Sequence, residues 1–133
     1  MAEKIQFELV SPAKLLVSAK VDMVVVPGGE GDFGALALHA PMITTVRPGV
    51  IDIHDGGKVS SSIFVAGGFA EVNEERITVL AEEAIPVGEL TAEMAAARKK
   101  AAKEALDDAG TERDKAHAQR LVLIAEAMAA AVG

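Results

Sequence analysis

Gly29-Glu30-Gly31-Asp32-Phe33-Gly34 has the glycine spacing that cradles dinucleotide phosphates. That use needs a helix opening at the third glycine, so that its N-terminal amides meet the pyrophosphate. Pro41 arrives seven residues later, and Glu30 and Asp32 put two negative charges where phosphate would sit. The segment is therefore expected to be a protruding, polar, acidic turn, shaped to touch something. Asp52 and His54 share a strand face by period two and could offer two metal ligands, but no third ligand is spaced to join them. Ser60-Ser61-Ser62 lacks a nucleophile elbow and a partnered histidine. Glu82-Glu83 and Asp107-Asp108 are sequence neighbours that point different ways, and they read as solvated positions. There is no Trp or Tyr to stack on a sugar or base. No catalytic site, metal or cofactor is expected. The competing reading is a small β-sandwich hydrolase or cupin-like metalloprotein using Asp52, His54 and His39.

A basic set remains. Arg98, Lys99, Lys100 and Lys103 cluster, and Arg113, Lys115 and Arg120 form a looser second group. The plain reading is a solvated helix face balanced by Glu93, Glu104, Asp107 and Asp108. The functional reading is docking onto an acidic partner helix, where charge steers association more than it adds affinity.

These residues sit in a chain of 133 residues with 13 Lys+Arg against 20 Asp+Glu, a net charge of −7. That balance argues against nucleic acid or anionic lipid as a partner of a broad basic face. Half the residues are apolar, enough for a core. The absence of cysteine excludes disulfides, thiolate metal sites and cysteine nucleophiles. No apolar run approaches the ~18 residues of a membrane span. The start, Met1-Ala2-Glu3-Lys4, resembles neither a signal nor a transit peptide. A soluble, intracellular, acidic protein is expected.

Composition changes sharply near Val87. Residues 1–90 hold all 5 Pro, all 4 Phe and 10 of the 12 Gly, whereas residues 91–133 hold 15 Ala in 43 positions. β-branched and aromatic residues suit pleated surfaces, and alanine suits helix. A β domain over 1–87 is therefore expected to precede an α-helical hairpin over 88–133, joined at Pro86–Gly88. Ile5, Phe7 and Leu9 alternate with polar residues, as a half-buried strand does. Val21 to Val26 is a more continuous apolar run stopped by Pro27-Gly28-Gly29. Asp55-Gly56-Gly57 signals a hairpin between Val50–His54 and Lys58–Ala66. Asn73 to Arg76 signals a turn between Phe69–Val72 and Ile77–Leu80. Such spacing, without intervening helices, predicts an antiparallel sandwich or flattened barrel.

In the second part, Thr91 is placed to cap a first helix whose stripe is Leu90, Met94, Ala97, Ala101 and Ala105. Gly110 is expected as its left-handed terminator. Thr111 then opens a second helix with the stripe Leu121, Ile124, Met128 and Ala131. Each helix would have about 18–20 residues, or ~27–30 Å at 1.5 Å per residue. Alanine buries little area, so this hairpin is expected to be held lightly and to be able to detach.

Read together, Phe7-Glu8-Leu9-Val10-Ser11-Pro12, Val25 to Gly34, His39-Ala40-Pro41, Arg47-Pro48-Gly49, Gly67 to Val72 and Thr78 to Glu82 resemble one family over residues 5–85. It is the epsilon subunit family of the bacterial F-type rotary ATP synthase, and the Ala-rich hairpin covers the remainder. The resemblance implies an antiparallel β-sandwich of about ten strands and then two antiparallel helices. It implies a non-catalytic central-stalk subunit, peripheral on the cytoplasmic face of the bacterial inner membrane and without direct membrane insertion. Its implied partners are the gamma subunit, the c-subunit ring and, transiently, the alpha/beta catalytic hexamer. Glu30, Gly31 and Asp32 match the family's contact with the ring, and Ser11 and His39 lie at positions that the family places against gamma. In some relatives the hairpin extends along gamma and blocks ATP hydrolysis; Arg98, Lys99, Lys100, Lys103, Arg113, Lys115 and Arg120 would then meet an acidic beta-subunit segment. Two departures stand out. Ala37-Leu38 replaces a usual Pro-Gly before the histidine. The family's ATP-binding pattern, Ile/Leu-Asp-x-x-Arg-Ala, reads Leu90-Thr91-Ala92-Glu93-Met94-Ala95 here, without the Asp and the Arg. Arginine grips phosphate bidentately and methionine cannot, so no ATP sensing is expected.

Overall fold

The computed structural model describes residues 3–37 and 39–132; Leu38, one of the two residues of the Ala37-Leu38 departure, lies outside them. Ten strands come first: β1 Ile5–Val10, β2 Leu15–Val21, β3 Met23–Gly28, β4 Gly31–Leu36, β5 Met42–Val46, β6 Gly49–Asp55, β7 Lys58–Val65, β8 Gly68–Val72, β9 Arg76–Ala81 and β10 Ala84–Pro86. A single 3-10 turn, Val87–Glu89, leads to α1 Ala92–Asp108 and α2 Glu112–Ala131. The strands form one sheet in the order β10-β7-β6-β3-β5-β8-β9-β1-β2, with β4 added to β3. Folded over, it is the expected sandwich.

Period-two alternation supplies its interior. Ile5, Phe7 and Leu9 from β1, Ile51 and Ile53 from β6, and Ile77 and Val79 from β9 all lie within the core. Each such side chain stabilises the fold by roughly 1.5–3 kcal/mol relative to exposure. Turn chemistry fixes the register. Gly56 and Gly57 take φ of 66° and 80°, the left-handed pair of a tight two-residue hairpin. The Asn73 side chain accepts from the amides of Glu75 and Arg76, both at 2.9 Å, closing the β8–β9 turn.

Several elements differ from expectation. β1 pairs with β9 in parallel, Phe7 opposite Ile77, the one parallel ladder among the described strands. No local turn joins these strands, so nothing in either segment announces the pairing. The Val21–Val26 run is two strands, broken at Asp22, and β3 runs on through Pro27 and Gly28. β2, β4, β5 and the three-residue β10 carry weak signals because their outward positions are many or their residues are glycine.

The helices are capped as the sequence suggests. The Thr91 hydroxyl accepts from the Met94 amide at 3.1 Å, and that of Thr111 from the Asp114 amide at 3.0 Å. α2 turns the expected face inward, with Ile124 and Met128 buried and Leu121 and Ala131 half-buried. The stripe expected on α1 is rotated: Met94, Ala97 and Ala101 are exposed, and Ala95 and Ala102 are buried. A helix with alanine on every side does not specify a face by spacing; Leu90, buried against the sheet, does. Gly110 is not left-handed either. Ala109 ends α1 in an extended conformation with its amide on the Leu106 carbonyl, 3.3 Å away, and no residue of this connection needs positive φ.

Gly68 does need it, with φ of 146°, and a Cβ there would collide with the Leu80 carbonyl oxygen. Gly68→Ala is expected to cost about 2–4 kcal/mol in urea unfolding followed by circular dichroism. Gly110→Ala, with open space around it, is expected to change stability by less than about 0.5 kcal/mol. Equal losses at both sites would contradict the distinction.

Candidate functional site

The acidic turn is built by β3 and β4. Gly28 pairs with Gly31, which leaves Gly29 and Glu30 at the tip, and Glu30, Gly31 and Asp32 are all exposed. Close backbone approach explains the glycines: a Cβ on Gly28 would sit 2.6 Å from the Gly31 carbonyl oxygen, and one on Gly29 would strike the Thr45 hydroxyl. The turn is anchored from one side. The Gly29 amide donates to Thr45 O at 2.8 Å, and the Arg47 amide to Pro27 O at 2.9 Å. The Arg47 guanidinium donates to Gly28 O at 2.6 Å and forms an ion pair with Asp32. Arg47 was legible only as part of an Arg-Pro-Gly motif; its partner lies 15 residues away across the fold. Asp32 is thereby held in place, and Glu30 projects freely from the tip.

The outer face of β5, β8 and β9 is a second surface. Phe69 lies opposite Thr45 and Leu80 in the ladder, and Glu71 opposite Ile43 and Thr78. Ile43, Phe69 and Leu80 are 73%, 57% and 53% exposed, although side chains of this type are normally buried. Phe69 and Leu80 also line a shallow hollow of about 420 Å³ with Val10, Ser11, Pro12 and Glu82. The Ser11 hydroxyl donates to the Lys14 carbonyl at 3.4 Å, within the bend that ends β1. His39 precedes β5, near the end where Met42 pairs with Val72; its Nδ1 lies 2.7 Å from the Ala40 carbonyl and its ring 6.5 Å from that of Phe33. Ser11 and His39 do not meet. They bracket the apolar strip from opposite ends of β8. Nothing in the sequence separated these apolar side chains from core residues, because the same alternation serves either face.

The basic set divides. Arg98 grips Glu83 with two guanidinium nitrogens, one at 3.0 Å, and Arg120 pairs with Glu82. Glu82 and Glu83 are therefore not simply solvated, as expected, but receive one arginine from each helix. The Arg98 guanidinium is pushed above its ordinary pKa, chiefly by its hydrogen bonds to Glu83. Lys99, Lys100, Lys103, Arg113 and Lys115 lie exposed on the helices. The metal-ligand reading gathers no support: Asp52 accepts the Ser62 hydroxyl at 2.6 Å, and no three His, Asp or Glu side chains converge among the described residues.

An anchored acidic turn, an exposed apolar strip and a helical pair packed on one sheet face are surfaces suited to docking. Comparison with known proteins agrees. Residues 4–87 match the family model for the ATP synthase delta/epsilon chain β-sandwich domain. The chain is 92% identical over 132 residues to the ATP synthase epsilon chain of Paramagnetospirillum magneticum, covering 99% of each chain. It is 56% identical over 131 residues to that of Rhodospirillum rubrum, covering 98% of each. Its fold is that of a chain in the cryo-EM structure of the Euglena gracilis mitochondrial ATP synthase OSCP/F1/c-ring, with a TM-score of 0.81 at 24% identity, over 100% of this chain and 84% of that one. A chain of the Tetrahymena thermophila mitochondrial ATP synthase central stalk and c-ring gives 0.75 at 14%, over 99% and 98%. The chain belongs to the ATP synthase epsilon chain family, whose members are non-catalytic stalk subunits; the metalloenzyme reading through Asp52, His54 and His39 is not supported. No helix among the described residues is long and apolar enough to cross a membrane.

Removing the anchor tests the turn. Arg47→Ala is expected to speed amide hydrogen exchange across residues 28–34 by at least about threefold, while global stability falls by no more than about 1 kcal/mol. Unchanged exchange there would show that the backbone bonds alone hold it.

Proposed function

We propose that this chain joins the gamma subunit to the c-subunit ring in the central stalk of a bacterial F-type ATP synthase, on the cytoplasmic face of the inner membrane. The observation that carries the reading is the apolar strip of Ile43, Phe69 and Leu80, exposed on an otherwise alternating sheet. Exposed patches of this kind mark interfaces. Ser11 and His39, at its two ends, are the residues that resemblance assigns to gamma. The acidic turn supplies a different surface: Glu30, Gly31 and Asp32 present carboxylates and backbone to the polar loops of the ring, with Asp32 prealigned by Arg47. A contact of this kind uses hydrogen bonds and needs no affinity for lipid.

The helical hairpin is the regulatory part. Its docking seam of Phe64, Ala66, Leu90, Ala95, Ile124 and Met128 is an apolar cluster distinct from the sandwich core. A domain over 1–87 therefore keeps its own interior when 88–133 are absent. In an extended state the basic residues, Arg98 and Arg120 included, face an acidic segment of the catalytic hexamer.

Phe69→Asp with Leu80→Asp is expected to weaken gamma binding at least ~30-fold in pull-down titrations without unfolding the sandwich. Deletion of residues 88–133 is expected to leave both gamma binding and proton-driven ATP synthesis intact. Full-strength binding by the double variant, or loss of it in the truncated chain, contradicts the assignment. Titration calorimetry of the isolated chain with millimolar ATP is expected to give no binding heat, since Thr91 and Met94 replace the Asp and Arg of the nucleotide pattern; a saturable isotherm would refute this.

A further inference from the structure

We infer that the docked hairpin is held to the sandwich by a two-arginine latch, Arg98 to Glu83 and Arg120 to Glu82, which salt or charge removal opens. The inference stands on contacts within this chain and does not depend on the stalk reading. The apolar seam is short. Beyond Ala95 on α1 and before Ile124 on α2, the fully buried helical residues are Ala102 and Ala118, which belong to neither apolar cluster of the sheet. Alanine packing is smooth and fixes rotation and register poorly, as the rotated face of α1 already shows. Something else must fix where the hairpin settles.

The corner between β9 and β10 is built to do so. The Glu82 amide donates to Gly67 O at 3.0 Å, and the Ala66 amide donates to Glu83 O at 2.9 Å. The two carboxylates therefore stand on a frame tied to the end of β7. Gly67, with φ of 118°, lets the chain turn there, and a Cβ on it would lie 3.5 Å from an Arg120 guanidinium nitrogen. Each helix contributes one arginine to one of two adjacent acids, so both helices are referenced to a single point. All four side chains are between 35% and 53% exposed, which leaves the pairs open to screening by salt.

The chain has no cysteine, so spin labels can be placed selectively. Labels at Lys58→Cys and Ala101→Cys, both exposed positions, report docking by double electron–electron resonance. At roughly 20 mM salt a single narrow distance is expected. Raising salt to about 500 mM, where the Debye length falls to about 4 Å, is expected to broaden it. Arg98→Gln with Arg120→Gln should raise the undocked-to-docked ratio about 3–10-fold at low salt and abolish the salt response. Arg120→Glu alone should raise the ratio, and adding Glu82→Arg, which exchanges the charges of that pair, should restore docking. Lys99→Gln with Lys100→Gln, which removes equal charge away from the latch, should leave the ratio unchanged. Equal docking of the unsubstituted and double-arginine chains, or an equal loss in the lysine control, overturns the latch. If the double variant does not fold, a docked fraction of the unsubstituted chain that stays flat across the salt range overturns it as well.

Discussion

The end of β7 and the residue after it are apolar on both sides of the sheet, and water must be kept from both. Ile63 and Val65 face the sandwich interior, while Phe64 and Ala66 face outward, and all four are buried. The inner pair is covered by the facing strands. The outer pair is covered only because the chain continues into Val87–Glu89 and returns two helices across it, with Leu90, Ile124 and Met128 seated on Phe64. The β-rich and Ala-rich parts are thus not independent beads. The second exists, in this arrangement, as a lid for one face of the first. A second outer apolar strip, on β5, β8 and β9, has no such cover among the described residues.

The same economy governs the charges. Cations are few in this acidic protein, and four arginines tie elements far apart in sequence, Arg76 of β9 among them by its pair with Glu8 of β1. Arg47 holds the acidic turn to the bend before β6, and Arg98 and Arg120 hold the helices to the β9–β10 corner. Lysines dominate the exposed helical surface instead. Guanidinium is planar, multiply donating and weakly hydrated, so it can serve a carboxylate and a carbonyl together, as Arg47 does with Asp32 and Gly28. Glu82 is doubly placed: it pairs with Arg120 and also lines the hollow with Ser11, Phe69 and Leu80.

A member of a stalk family needs stiffness more than chemistry, and the sandwich provides it. Its core is filled by β-branched, leucine and phenylalanine side chains whose positions are over-determined by ladders on both sides, and no buried side-chain polar atom among the described residues lacks a partner. In the hairpin, alanine limits the buried area and the ion pairs to the sheet are partly exposed.

How much was legible follows the range of the interactions. Alternation in β1, β6 and β9, the Gly56-Gly57 and Asn73 turns, and the threonine caps at 91 and 111 depend on neighbours within a few residues, so the sequence by itself determined them. It also marked the acidic turn, because glycine spacing and two carboxylates are local facts. The parallel ladder of β1 and β9, the partner of Arg47, the face that α1 buries and the arginines that find Glu82 and Glu83 were decided only by tertiary packing. Arg120 and Glu82 lie 38 residues apart, and no propensity connects them. Their encounter exists only once the helices lie against the assembled sheet, where the backbone bonds to Ala66 and Gly67 hold the two carboxylates.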